Sequence, residues 1–114
     1  MLGASTDGYY CHKAWYESDP RLAGVRYPVI ADSSLQLAAS LEVLRDDGTA
    51  MRATFIIDPE GIVRHLLVND LDVGRNPEET LRTLQALRTG ALCPVSWQPG
   101  QPTLSDSPVV DAAA

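Results

Sequence analysis

The side chains in this 114-residue chain that are able to do covalent or metal chemistry are few. Cys93 sits in "ALCPVSWQPG", Ala91 to Gly100. Cys11 sits in "GYYCHKAW" beside His12, and the second histidine, His65, lies in "IVRHLLVND". A thiol is kept as small apolar filling or for reactivity, and reactivity needs access and a partner. Cys93 reads both ways. It opens an irregular segment after a helix-like one, between Leu92 and Pro94, with no Lys or His beside it. Taken alone, those residues favour packing. Cys11 and His12 invite a thiolate–base pair, but neighbours on a helix point about 100° apart and do not face each other. A partly buried structural cysteine is the expectation there. Cys11, His12 and His65 are too few, at no recognised spacing, to make a metal site. Neither GxGxxG nor GxxxxGK[ST] occurs, so nothing points to a phosphate-cradling loop.

The elements that must position these residues follow from patterning. "MLGAS" reads as a strand, and "YCHKAWY" as a short helix, Tyr10 to Tyr16, capped from Asp7. "ESDPRLAGVRYP" is loop, punctuated by Pro20, Gly24 and Pro28. "VIADSS" gives a short strand and then an Asp or Ser cap. Apolar residues at 35, 37, 38, 41 and 44 predict a helix over Leu35 to Leu44. A hairpin follows, Ala53 to Ile57 and Ile62 to Val68, joined by "DPEG" with Pro where a type I turn favours it. Asn76 caps the last helix, Pro77 takes its first position, and Glu78 and Glu79 suit the helix dipole. Leu81, Leu84 and Leu87 form its apolar stripe and Gly90 stops it. Beyond it, four prolines (94, 99, 102 and 108) predict an extended or mobile tail. The order strand, helix, strand, helix, hairpin, helix, tail is an α/β pattern. It divides into a domain over 1–91 and a tail over 92–114.

Composition narrows the function classes. A hydrophobic fraction of 45% fits a globular chain. The net charge of -6, with basic residues scattered, argues against nucleic acid or an anionic membrane as partner. No apolar run approaches the roughly 20 residues of a membrane helix. The N-terminus shows no signal-peptide pattern, so a cytoplasmic location is expected. Two distant cysteines make neither a disulfide framework nor a CxxC pair.

The segment "FIIDPEGIVRHLLVNDLDVGRNPEETLRTLQALRTGALCPVSWQPG" resembles the C-terminal half of a typical two-cysteine peroxiredoxin of the alkyl hydroperoxide reductase C type. "MRATF", "PVIADSS", "HKAW" and "LGASTD" extend the similarity upstream, so it covers roughly residues 1 to 104. The resemblance implies the C-terminal portion of a thioredoxin-like α/β fold. It also implies reduction of hydrogen peroxide and organic hydroperoxides without a bound cofactor or metal. Thioredoxin or a dedicated disulfide reductase would restore the thiols. The assembly would be a homodimer or larger ring, paired through the "RHLLVND" edge strand.

On this resemblance Cys93 matches the resolving cysteine, which condenses with a partner subunit's sulfenic acid. Arg52 matches the arginine that stabilises the peroxidatic thiolate and the peroxide, and Arg75 a second, supporting arginine. Outside that register, both read as exposed charges. The family's PxxxTxxC motif, which carries the peroxidatic cysteine, is missing: no Pro is followed by Thr at +4 and Cys at +7. Cys11 does not replace it. A middle strand of the family's sheet is missing with it, so the resemblance implies an N-terminally truncated chain, inactive and poorly stable alone. The alternative is a non-catalytic half-domain that pairs with full-length subunits and donates Cys93. "PRLAGVRYP" lacks the GGLG motif and the tail lacks a Tyr-Phe pair, departures that suggest the robust, bacterial type.

Overall fold

The computed structural model describes residues 1–104. Two units are distinguished among the described residues: Met1–Ala53 with Val68–Leu71, and Thr54–Leu67 with residues 72–104. Among the described residues the four strands form two separate two-stranded sheets.

In the first unit β1 (Gly3–Ser5) pairs in parallel with β2 (Val29–Ala31), in the register Gly3 to Val29 and Ser5 to Ala31. Parallel strands need a long crossover. It is supplied by α1 (Tyr9–Ser18) and a 3₁₀ turn over Pro20–Leu22. That turn is held by Asp19, whose carboxylate accepts from the Arg21 backbone at 3.0 Å and pairs with its guanidinium at 2.7 Å. The cap of α1 is Gly8, not Asp7: the Gly8 carbonyl takes the His12 N–H at 3.1 Å, while the Asp7 carboxylate accepts from Ser5 Oγ at 2.9 Å. Asp7 stands one residue too early.

The second helix is shorter than its apolar pattern predicts. α2 covers Gln36–Ser40 only. Asp32, buried, supplies the cap from upstream, accepting from the N–H groups of Leu37 at 3.1 Å and Ala38 at 2.8 Å. The C-terminus is a Schellman turn. Val43 N–H bonds Ala38 O at 3.0 Å, Glu42 N–H bonds Ala39 O at 3.1 Å, and Glu42 takes φ +61°. Val43 and Ala38, the pair that such a turn brings together, are both buried. A glutamate in the left-handed region carries no sequence signal for a stop, which is why the periodicity overshoots to Leu44.

The hairpin forms as expected. β3 (Arg52–Ile57) and β4 (Val63–Asn69) are joined by a turn too short for anything but antiparallel strands. Gly61 N–H bonds Asp58 O at 3.0 Å and Gly61 takes φ +84°. The Asp58 carboxylate accepts from Glu60 and Ile62 N–H at 2.9 Å each and from Arg64 Nε at 2.8 Å. In the second unit α3 (Pro77–Arg88) starts as its sequence dictates, with Asn76 Oδ1 accepting from Glu78 and Glu79 N–H at 3.1 and 3.3 Å.

The predicted leucine stripe of α3 is not a core stripe here. Leu81 is 53% exposed, and Leu84 and Leu87 are also exposed. Half-buried Arg82 and Ala86 instead lie on the side that meets the segment after the helix. That segment is the largest departure from expectation. Residues 92–104 are a closed loop rather than an extended tail: Leu104 N–H bonds Leu92 O at 2.6 Å. Trp97, at 4% exposure, is buried. The remainder of the predicted tail, Pro108 included, lies outside the described residues.

Candidate functional site

Cys93 stands where α3 gives way to the loop. Thr89 is the C-cap and Gly90 follows with φ +67°, its N–H bonding Leu87 O at 3.2 Å. Helix ends leave carbonyls without intrahelical donors. One of these is Ala86 O, and several local donors converge on it. Thr89 donates from its N–H at 3.2 Å and from Oγ1 at 2.7 Å. Ala91 N–H turns instead to Thr89 Oγ1, at 3.1 Å. The Cys93 thiol then points back at the same carbonyl, with Sγ 3.8 Å from Ala86 O, 3.9 Å from Ala91 O and 3.6 Å from Thr89 Oγ1. A thiol is a weak donor. Half-buried and turned inward, this one serves as a soft plug for the helix end.

Arg82 lies one turn of helix N-terminal to Ala86 and borders the same open groove as Cys93, with Ile57, Arg64 and Pro94. Its guanidinium clasps Glu79, with Nε to Oε2 and Nη2 to Oε1 both at 2.7 Å. Nη1 reaches across to Trp97 O at 2.9 Å. The Glu79 carboxylate holds the Arg82 guanidinium above its ordinary range. In return, Arg82 holds Glu79 below the usual carboxylate range. The loop has its own frame beside this grip. Trp97 N–H bonds Pro94 O at 3.2 Å and Trp97 Nε1 donates to Gln101 O at 3.1 Å. Gln98 N–H bonds Gln101 Oε1 at 2.9 Å.

The other residues singled out in the sequence belong to both units. Arg52 is exposed at the first position of β3, in the first unit. Arg75 is exposed just before the α3 cap, in the second. The hydrogen-bond neighbours of Cys93 are Thr89, Ala86 and Ala91. Cys11 is exposed, not partly buried as expected, because the side of α1 that faces inward is the one carrying His12. His12 is buried with Nε2 against Ser5 Oγ, a tie between β1 and α1. Among the described residues no three His, Cys, Asp or Glu side chains gather to hold a metal ion. Sequence reasoning missed Arg82, Thr89 and Trp97. The Glu79–Arg82 spacing of three was a readable pair, but nothing in the sequence pointed it at Trp97.

The pattern of the AhpC/TSA family matches residues 1–66. A chloroplastic 2-cysteine peroxiredoxin of Chattonella marina var. antiqua is 43% identical over 117 residues, covering 96% of this chain and 60% of that protein. The chloroplastic 2-Cys peroxiredoxin BAS1 of Spinacia oleracea is 40% identical, covering 95% of this chain and 44% of that protein. Among solved structures, the reduced 2-Cys peroxiredoxin of Plasmodium vivax superposes with a TM-score of 0.83 at 35% identity, over 89% of this chain and 56% of that one. Mycobacterium tuberculosis AhpC does so at 0.78 and 35% identity, over 85% and 55%. The chain spans about half the length of the curated relatives it matches.

Proposed function

This chain belongs to the AhpC/TSA family and has part of a peroxiredoxin's thioredoxin-like fold, and on that premise we propose that it serves thiol-dependent hydroperoxide reduction with Cys93 as the resolving thiol. The observation that carries the reading is the position of Cys93: a free thiol at a helix end, inside a loop closed by a handful of hydrogen bonds. A resolving thiol must be stored safely and then reach a sulfur on another subunit. Attachment to a loop, not to the helix, lets it do both.

The chemistry divides into three balanced steps. A peroxidatic thiolate attacks the O–O bond of a hydroperoxide, becomes a sulfenic acid, and releases an alcohol or water once the leaving oxygen takes a proton. The Cys93 thiol attacks that sulfenic sulfur, forming a disulfide and expelling water. A dithiol protein, thioredoxin or a dedicated disulfide reductase, takes the disulfide back to two thiols and is itself oxidised. These 114 residues hold no PxxxTxxC motif; the thiolate that Cys93 resolves is a partner peroxiredoxin subunit's, in a dimer or larger ring. Arg52 is assigned to hold the peroxidatic thiolate of its own subunit's pocket and the peroxide oxygens, since a guanidinium favours the anion. Arg75 is assigned to support the same pocket. The two cysteines, Cys11 and Cys93, are free thiols, which suits a reducing compartment such as the cytoplasm.

A second reading is a non-catalytic half-domain that donates Cys93 to complete subunits. Both readings meet one experiment. The chain is mixed with a peroxiredoxin subunit whose only cysteine is peroxidatic, and hydrogen peroxide is added. Mass spectrometry is expected to find a disulfide to Cys93, absent in Cys93→Ser, while the first peroxide turnover persists. A disulfide that forms normally with the Cys93→Ser chain would overturn the assignment. Peroxide consumption by the chain alone would exclude the half-domain reading.

A further inference from the structure

Besides the Trp97 N–H to Pro94 O bond at 3.2 Å, the loop over residues 92–104 is tied together at four places. Leu104 N–H closes it onto Leu92 O at 2.6 Å, and Trp97 Nε1 pins Gln101 O at 3.1 Å. Gln98 and Gln101 bond each other, through N–H to Oε1 at 2.9 Å and N–H to O at 3.0 Å. Only the fourth of these ties comes from a side chain outside the loop: Arg82 Nη1 on Trp97 O, at 2.9 Å. A compact surface loop with joined ends and its own internal hydrogen bonds moves as a body more readily than it unravels. Gly90, at φ +67°, lies just before it, and a glycine can take up a changed φ and ψ there at little cost.

We propose that Arg82 is a positioning residue: with Trp97 it forms a latch that seats the 92–104 loop on α3 and keeps the Cys93 thiol turned to the helix end. While the latch holds, Sγ faces Ala86 O and Ala91 O and is half-buried. When Nη1 leaves Trp97 O, the loop swings about Gly90 as a unit and the thiol turns outward. Glu79 makes the latch a defined one, because its two oxygens fix the guanidinium plane and leave Nη1 aimed at the loop. The meaning for turnover rests on Cys93 being the resolving thiol. The latch itself does not, and it is tested without peroxide or partner.

The test uses the full chain with Cys11→Ser, so that Cys93 is the one thiol, and Trp15→Phe, so that Trp97 is the one indole. Labelling of Cys93 by an aromatic disulfide reagent is followed beside Trp97 emission and the circular dichroism spectrum. Arg82→Gln is expected to speed labelling about tenfold, the size of one lost charge-assisted hydrogen bond, and to shift Trp97 emission to the red with the spectrum unchanged. Arg82→Lys keeps a cationic donor and is expected to fall between. Labelling at the parent rate in Arg82→Gln would overturn the latch. Should that variant lose its secondary structure, amide exchange on the unmutated chain decides. The amides of Trp97, Gln101 and Leu104 are bonded within the loop, so their staying protected while Cys93 is labelled supports a loop that opens as a body. Exchange of those three amides as fast as Cys93 is labelled overturns it, because the loop then unravels. A working latch with no disulfide to a partner's sulfenic acid would leave the latch standing and remove only the resolving role.

Discussion

Cys93 shows how little a single residue's neighbours in sequence say about its surroundings. Its flanks, Leu92 and Pro94, are apolar, and the reading from them alone was packing. In the structure the nearest polar atoms come from residues two to seven positions back, Ala91, Thr89 and Ala86. The guanidinium that borders the same groove belongs to Arg82. Thr89 is the residue that arranges this end. Its hydroxyl donates to Ala86 O at 2.7 Å and accepts from Ala91 N–H at 3.1 Å. Thr89→Val keeps the shape and removes both bonds, so it is expected to cost about 1 to 2 kcal/mol in chemical denaturation and to raise Cys93 labelling. Unchanged stability and labelling would show that the hydroxyl is idle.

At the scale of elements, two ends carry their own tests. Glu42 closes α2 at φ +61°, a conformation that costs a residue with a Cβ about 1 to 2 kcal/mol. Glu42→Gly removes that strain and is expected to stabilise the chain by about 1 kcal/mol in a denaturant titration; a loss of stability would mean that the side chain is wanted there. The hairpin turn depends on a carboxylate. Ile62 N–H first, then Arg64, hold Asp58 below the usual acid range, against partial desolvation. A group with a depressed folded pKa stabilises fully above its unfolded value, about 3.9 for Asp, and stops doing so as the pH falls through the folded value. The parent chain is therefore expected to lose hairpin protection on acidification below about pH 4, and Asp58→Asn to lack that step. Identical acid profiles would contradict it. The hairpin and the start of α3 were legible because turn and cap chemistry is local: "DPEG" and "NPEE" contain their own donors and acceptors. The stop of α2 was not, since a left-handed glutamate is imposed by the burial of Val43 and Ala38 beyond it.

Taken whole, the chain buries little. Among the described residues the buried apolar side chains are Ala38, Val43 and Trp97, and no large side chain is fully covered. Leu66 on β4 is 54% exposed, and Ile57, Val68 and the α3 leucines are also open. Apolar burial is the main favourable term in folding, so the chain by itself is expected to melt broadly and to bind a hydrophobic dye before melting. A sharp two-state melt of a monodisperse monomer, without dye binding, would refute this. The same open faces agree with a chain that spans about half the length of its curated relatives.

The sequence by itself determined the α/β order of elements, the hairpin turn, the α3 cap and the family. Each is written in short-range patterns: period, turn residues, caps and motif register. Tertiary structure alone decided the rest. It made the Pro-rich segment a closed loop, because Trp97 is buried and Arg82 holds its carbonyl from fifteen residues away. It opened Cys11 to solvent by burying the neighbouring His12 against Ser5. It turned the leucines of α3 outward and laid the Arg82 and Ala86 side on the loop. Those outcomes depend on which surfaces meet, and a linear pattern records the surfaces a chain offers, not the ones it covers.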